Sequence, residues 1–147
     1  MQRALEMAAL APLHGDVPIG AVVVSPTGEE LGSGQNTRER DQDPCGPAEI
    51  QALRQAAQKL GSWRLDGCTV YVSLEPCAMC AGAMVLARIA CCVWGAPDPK
   101  GGYLGTLGNL GADVRLNHRF EVRSEVRKEE SAAMLRQFFR ELRQKKQ

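Results

Sequence analysis

At 147 residues and 44% hydrophobic, the chain carries enough apolar material for one packed core. Eighteen Lys and Arg against 17 Asp and Glu leave a formal net charge of +1, so any nucleic-acid surface has to be local. Six cysteines are too few for a secreted disulfide scaffold, and no signal-peptide pattern or apolar run of spanning length opens the sequence. A cytoplasmic protein with reduced thiols and no membrane partner is expected.

Taken in chain order, Met1 to His14 places Leu5, Ala8, Ala9 and Pro12 at mostly helical spacing, which predicts one helix stopped by Gly15. Val17 to Val24 is β-branched and nearly continuous, as in a buried strand. Pro26-Thr27-Gly28 then turns the chain into a second strand through Glu29 to Leu31. Ser33 to Gly46 is polar and aperiodic, a surface loop. Pro47 to Leu60 puts Ile50, Leu53, Ala57 and Leu60 on one helical face, with Pro47 at the first helical position and Gly61 as the stop.

Cys68 to Leu74, Cys77 to Arg88 and Ile89 to Trp94 read as strand, helix and strand, a crossover that requires parallel pairing. Gly95 to Asn117 is Gly-rich, with one short helical turn expected near Leu107 to Leu110 and a strand near Arg119 to Val122. A last helix from about Ser124 carries Met134, Leu135, Phe138, Phe139 and Leu142 as an apolar stripe, followed by a basic cluster of Arg136, Arg140, Arg143, Lys145 and Lys146. No repeat or second domain is visible, so residues 1–147 are expected to form one domain.

Chemistry concentrates in Leu74-Glu75-Pro76-Cys77-Ala78-Met79-Cys80-Ala81-Gly82-Ala83-Met84 and in Pro47-Ala48-Glu49 upstream. Two cysteines three residues apart at a helix start gain from the free N–H groups there, which favour thiolate and suit a tetrahedral metal. Glu49, at the start of the other helix, is placed to act as an acid or base beside them. Each part has a plainer reading: Cys-x-x-Cys can be a redox pair, and Glu at the third helical position commonly caps its helix. Cys68, Cys91 and Cys92 read as small hydrophobes in strands. His14 reads as a helix-end residue and His118 as a structural hydrogen-bonding residue.

These stretches, with Tyr71-Val72, Trp94 to Lys100 and Asn117-His118-Arg119, resemble the bacterial tRNA adenosine deaminases of the cytidine-deaminase-like zinc superfamily, from the first helix to the last. The resemblance implies a three-layer α/β/α fold with a mixed sheet of about five strands. It implies hydrolytic deamination of adenosine to inosine at the wobble position of a tRNA anticodon, with Zn²⁺ as cofactor and a homodimer as the assembly. Carried over, Cys77 and Cys80 are zinc ligands and Glu49 the catalytic proton carrier; Asn36, Ala48, Asp98 and Lys100 border the substrate. Without the resemblance, Asn36 is a turn residue, Asp98 a loop cap and Lys100 a solvated charge.

One position departs from the pattern. Pro47 stands where the family places its zinc-binding histidine, and proline has no side-chain donor atom. Cys45, two residues earlier, is the candidate substitute, since three-cysteine sites occur among zinc deaminases. The activity implied by the resemblance is therefore expected to be impaired. Alternatives are a free-nucleobase or nucleoside deaminase acting on guanine or cytosine, and a catalytically silent RNA-binding partner subunit.

Overall fold

A computed structural model describes residues 1–146. Five strands, β1 (Gly20–Val24), β2 (Glu30–Gln35), β3 (Thr69–Leu74), β4 (Cys91–Ala96) and β5 (Glu121–Arg123), form one sheet in the order β2-β1-β3-β4-β5. β1 is antiparallel to both β2 and β3, while β3, β4 and β5 are parallel; Thr69 lies opposite Cys91 and Leu74 opposite Ala96. The parallel pairing expected of the crossover is present, carried by α4 (Ala78–Ala87). Because β1 is antiparallel to β2 and to β3, those two run the same way and end at the same edge of the sheet.

Strand alternation assigns the layers. Val70, Val72, Cys92 and Trp94 face α3 (Ala48–Leu60) and α4, and pack there with Ala52, Leu53, Met84 and Val85 as the main core. The opposite face carries α1 (Gln2–Ala8) and α5 (Lys128–Lys145). A Cβ on Gly20 would lie 2.2 Å from the Ala4 carbonyl of α1, and one on Gly95 would lie 3.2 Å from Ser131 Cβ of α5. The three-layer α/β/α arrangement is thus the one expected, and all six cysteines are free thiols.

Several boundaries differ from expectation, each for a local reason. The first helix breaks after Ala8, and Ala11–His14 continues as a separate 3-10 turn closed by Gly15 at φ 86°. Pro12, inside that turn, has no N–H for a continuous α-helical ladder. β1 starts at Gly20 rather than Val17, because Pro18 has no ladder donor. The second strand does not stop at Leu31: β2 runs on to Gln35, where Gly34 and Gln35 pair with Ala21 and Gly20 of β1. Ser33 to Gln35 are therefore strand and not loop, and the rest of the polar stretch holds a one-turn helix, α2 (Arg38–Asp41).

Pro47 is the extended N-cap of α3 (φ −68°, ψ 158°), not its first helical residue. The deeply buried face of α3 is Ala48, Ala52 and Ala56 with Leu53, whereas Leu60 is 47% exposed. Small residues are required there because β2 approaches so closely that a Cβ on Gly34 would lie 2.3 Å from the Ala48 carbonyl. α5 begins at Lys128, later than expected, and the outer part of its apolar stripe, Phe139 and Leu142, reaches solvent.

Candidate active site

The shared edge where β2 and β3 end is where the chemistry collects. β3 passes Glu75 and Pro76 to Cys77, the extended N-cap of α4, and Cys80 follows in the first turn. Cys77 is half-buried and Cys80 fully buried. The hydrogen bond from Cys80, helped by backbone N–H groups of Cys80 and Met79, brings the Cys77 thiol down to about 5 against the cost of burial. The same contact, reinforced by burial, pushes the Cys80 thiol up. The pair therefore shares one proton: Cys77 ionises readily and Cys80 donates to it.

Glu49 sits in the first turn of α3, 4% exposed. Burial raises its carboxyl to about 7, and the charge at Cys77 adds to the rise. Its Oε1 is buried without a hydrogen-bond partner. That carboxyl lines a cavity of about 300 Å³ together with Asn36, Pro47, Glu75, Cys77 and Asp98. A carboxyl that exchanges its proton near neutrality, beside a pocket of that size, is equipped for general acid and base work on a small planar group.

The expected border residues fall out unevenly. Asn36 is buried on the cavity wall, where its Nδ2 donates to the Val17 carbonyl (3.3 Å) and its Oδ1 accepts from Arg38 N–H (3.2 Å). Asp98 also lines the cavity, and its Oδ1 accepts from the Lys100 and Gly101 amides at 3.0 and 3.2 Å. Each is held in a turn while facing the pocket. Lys100 points to solvent, and Ala48 is fully buried against Gly34. Neither is among the residues lining this cavity.

Glu75, to which the sequence assigns no role, is 2% exposed and accepts four hydrogen bonds. An acidic residue between a buried strand and Pro-Cys was the available signal. Asp16, also overlooked, is fully buried; it accepts from the Glu39 and Arg40 amides at 2.6 and 3.1 Å and pairs with His14 Nδ1 at 2.8 Å. It thereby pins the start of α2 beside Asn36. His118 has the structural role expected of it, its Nε2 lying 2.7 Å from the Ile89 carbonyl.

The donor set does not fit a three-ligand zinc site. Cys77 and Cys80 offer two sulfurs, and Pro47 offers the cavity only its ring. Cys45 is exposed on the preceding loop, with its N–H tied to Asp43 Oδ1. Among the described residues no group of three His, Cys, Asp or Glu side chains is arranged to hold a metal ion.

Comparison with known proteins places the chain in a family. The model of the MafB19-like deaminase family matches residues 1–143. The chain belongs to that family. This deaminase is 51% identical over 146 residues to the tRNA-specific adenosine deaminase of Bacillus subtilis, covering 99% of the chain and 90% of the relative. It is 42% identical to the enzyme of the same name from Haemophilus influenzae, covering 84% of it. A solved structure from work on A-to-I editing by tRNA:A34 deaminases superposes with a TM-score of 0.87 at 38% identity, covering 92% of the chain and 97% of the other.

Proposed function

We propose that this chain is a hydrolytic deaminase converting adenosine to inosine at the wobble position of a tRNA anticodon, working as one domain over residues 1–147. The buried Glu49 carboxyl beside an open cavity is the observation that carries the reading. Hydrolysis takes up one water and releases ammonia from C6 of the adenine. Glu49, near half-protonated at neutral pH, accepts a proton from the attacking water and returns it to the departing amine. Asn36 and Asp98 form the walls against which the base is oriented. A splayed-out anticodon base is the form of adenine that reaches such a pocket.

Zn²⁺ is the cofactor expected of the superfamily, and Cys77 with Cys80 is its proposed seat. With Pro47 in place of a nitrogen ligand, metal is held weakly and turnover is slow. The fold is untouched by that residue, since an extended proline is a stable N-cap. Purified protein is expected to carry well under one zinc per chain and to form inosine in an anticodon stem-loop far more slowly than its Pro47→His variant. Elemental analysis and an inosine assay on both proteins decide this. Full zinc and equal rates in the two would sink it, and Cys45→Ser would then show whether Cys45 is the missing ligand.

The same proline favours a second reading, a silent RNA-binding subunit, marked by stem-loop binding without inosine. A free-base deaminase would instead turn over guanine or cytosine and ignore the stem-loop. The remaining proposals concern setting. No helix of the described residues is long and apolar enough to cross a membrane, in keeping with a cytoplasmic tRNA enzyme. The apolar groove between α3 and α4, with Trp63 and Leu86 exposed at 61% and 69%, supports a homodimer.

A further inference from the structure

Glu75 is a buried carboxylate held entirely by neutral donors. Its Oε1 accepts from the Asp98 amide at 3.1 Å and from the Thr106 hydroxyl at 2.5 Å. Its Oε2 accepts from the Leu104 and Thr106 amides at 3.2 and 2.9 Å. The partners lie 23 to 31 residues downstream and span both ends of one loop. A Cβ on Gly102 would stand 2.2 Å from the Glu75 carboxyl carbon, so the middle of that loop is folded directly onto the carboxylate. Three convergent backbone N–H groups around one anion rigidify a loop that has no strand of its own.

That loop matters because Asp98, near its start, is a wall of the cavity that holds Glu49 and Cys77. Glu75 is itself among the residues that line the same cavity. Its own amide is fixed to the Ala96 carbonyl at 2.8 Å, extending the β3 to β4 pairing, and Tyr103 N–H reaches the Pro76 carbonyl at 2.9 Å. One rigid strand end thus presents the thiols on one side and clamps the opposing wall on the other.

We propose that Glu75 is a positioning residue for base recognition: through the amides of Asp98, Leu104 and Thr106 it fixes the wall of the pocket against which the adenine is selected. The proposal rests on the wobble-adenosine reading above. It separates two tasks around one motif, proton transfer at Glu49 beside the Cys77 and Cys80 thiols, and selection of the base at the loop clamped by Glu75.

The test perturbs the clamp from both ends in the intact protein. Glu75→Gln places an amide NH₂ against N–H donors; Thr106→Val removes one donor 29 residues from Cys77, leaving the thiols alone. Two readouts are taken. One is amide hydrogen exchange at Asp98, Leu104 and Thr106. The other is affinity for an anticodon stem-loop bearing adenine at the wobble position against the same stem-loop abasic there. The expected result is faster exchange at those amides in both variants and an adenine preference reduced about tenfold in Glu75→Gln and less in Thr106→Val. Affinity for the abasic stem-loop stays unchanged.

An equal loss of affinity for both stem-loops means general destabilisation and overturns the proposal. So does a preference that survives in both variants. If Glu75→Gln fails to fold, Thr106→Val decides alone by the same criteria. A wild-type chain without any adenine preference overturns the substrate reading itself, a result distinct from either of these.

Discussion

At the scale of single residues, Glu49 makes a prediction independent of any metal. Its folded carboxyl ionises near 7, against 4.5 for a solvated glutamate, because burial penalises the charge. The native state therefore holds a proton that the unfolded chain has released. Its contribution is fully present below about pH 4.5 and is lost as pH rises through 7. In metal-free, reduced protein, Glu49→Gln should be more stable than the parent at pH 8, by up to about 3 kcal/mol, with the gap closing towards pH 4.5. Urea unfolding at pH 5 and pH 8 measures it, and a gap of equal size at both would refute the assignment. Inosine formation in the same variant should fall by about 100-fold or more. Cys77, Cys80 and Glu49 were legible in the sequence because spacing and helix starts alone bring them to one place. Glu75 was not, since its three partner residues lie far along a loop without periodicity, and only folding shows that they converge.

At the scale of elements, the order of the five strands and of α1, α3, α4 and α5 followed from hydrophobic period and from Gly and Pro punctuation, whereas α2 and the end of β2 lie in a polar stretch without period. The face of α3 did not follow either. Periodicity favoured Ile50, Leu53, Ala57 and Leu60; of these Leu53 is in the core and Ala57 packs at its edge, while the sheet takes Ala48, Ala52 and Ala56. The reason lies in β2, whose glycines let the helix sit almost on the strand, so the smallest side chains, not the greasiest, face inward. This close seat positions Glu49, one residue after Ala48. Gly34→Ala would drive a Cβ to 2.3 Å from the Ala48 carbonyl and push the start of α3 off the sheet. A loss of about 1 to 3 kcal/mol is expected in thermal or urea unfolding, with Glu49 displaced from the cavity. Gly28→Ala, in the exposed hairpin turn at φ 90° with open space around it, is the comparison. It carries backbone strain but no clash, so its effect should be confined to stability, leaving stem-loop binding intact. Equal effects of the two on binding would show that the seat of α3 does not set the site.

At the scale of the whole molecule, a net charge of +1 hides an uneven distribution. Many surface cations are matched locally: Arg3 by Glu6 and Glu30, Arg115 by Asp113, Arg127 by Glu130. Arg136, Arg140 and Arg143 differ. They are exposed, recur at helical spacing on one side of α5, and border a surface groove with Leu135 and the 41% exposed Phe139. Like charges three and four residues apart slightly disfavour a helix, so their alignment makes sense as a track for phosphates, with Phe139 available for stacking on a base. Single-stranded RNA releases counterions in proportion to the phosphates neutralised, at a slope of about −0.7 per contact. Replacing all three arginines by glutamine should therefore lower the magnitude of the log-affinity against log-salt slope by about 2 for an anticodon stem-loop. The preference for adenine over the abasic stem-loop should persist, because the pocket is built by other elements. An unchanged slope would remove α5 from the RNA surface. A slope reduced together with the adenine preference would mean that the helix and the pocket hold the RNA as one coupled surface.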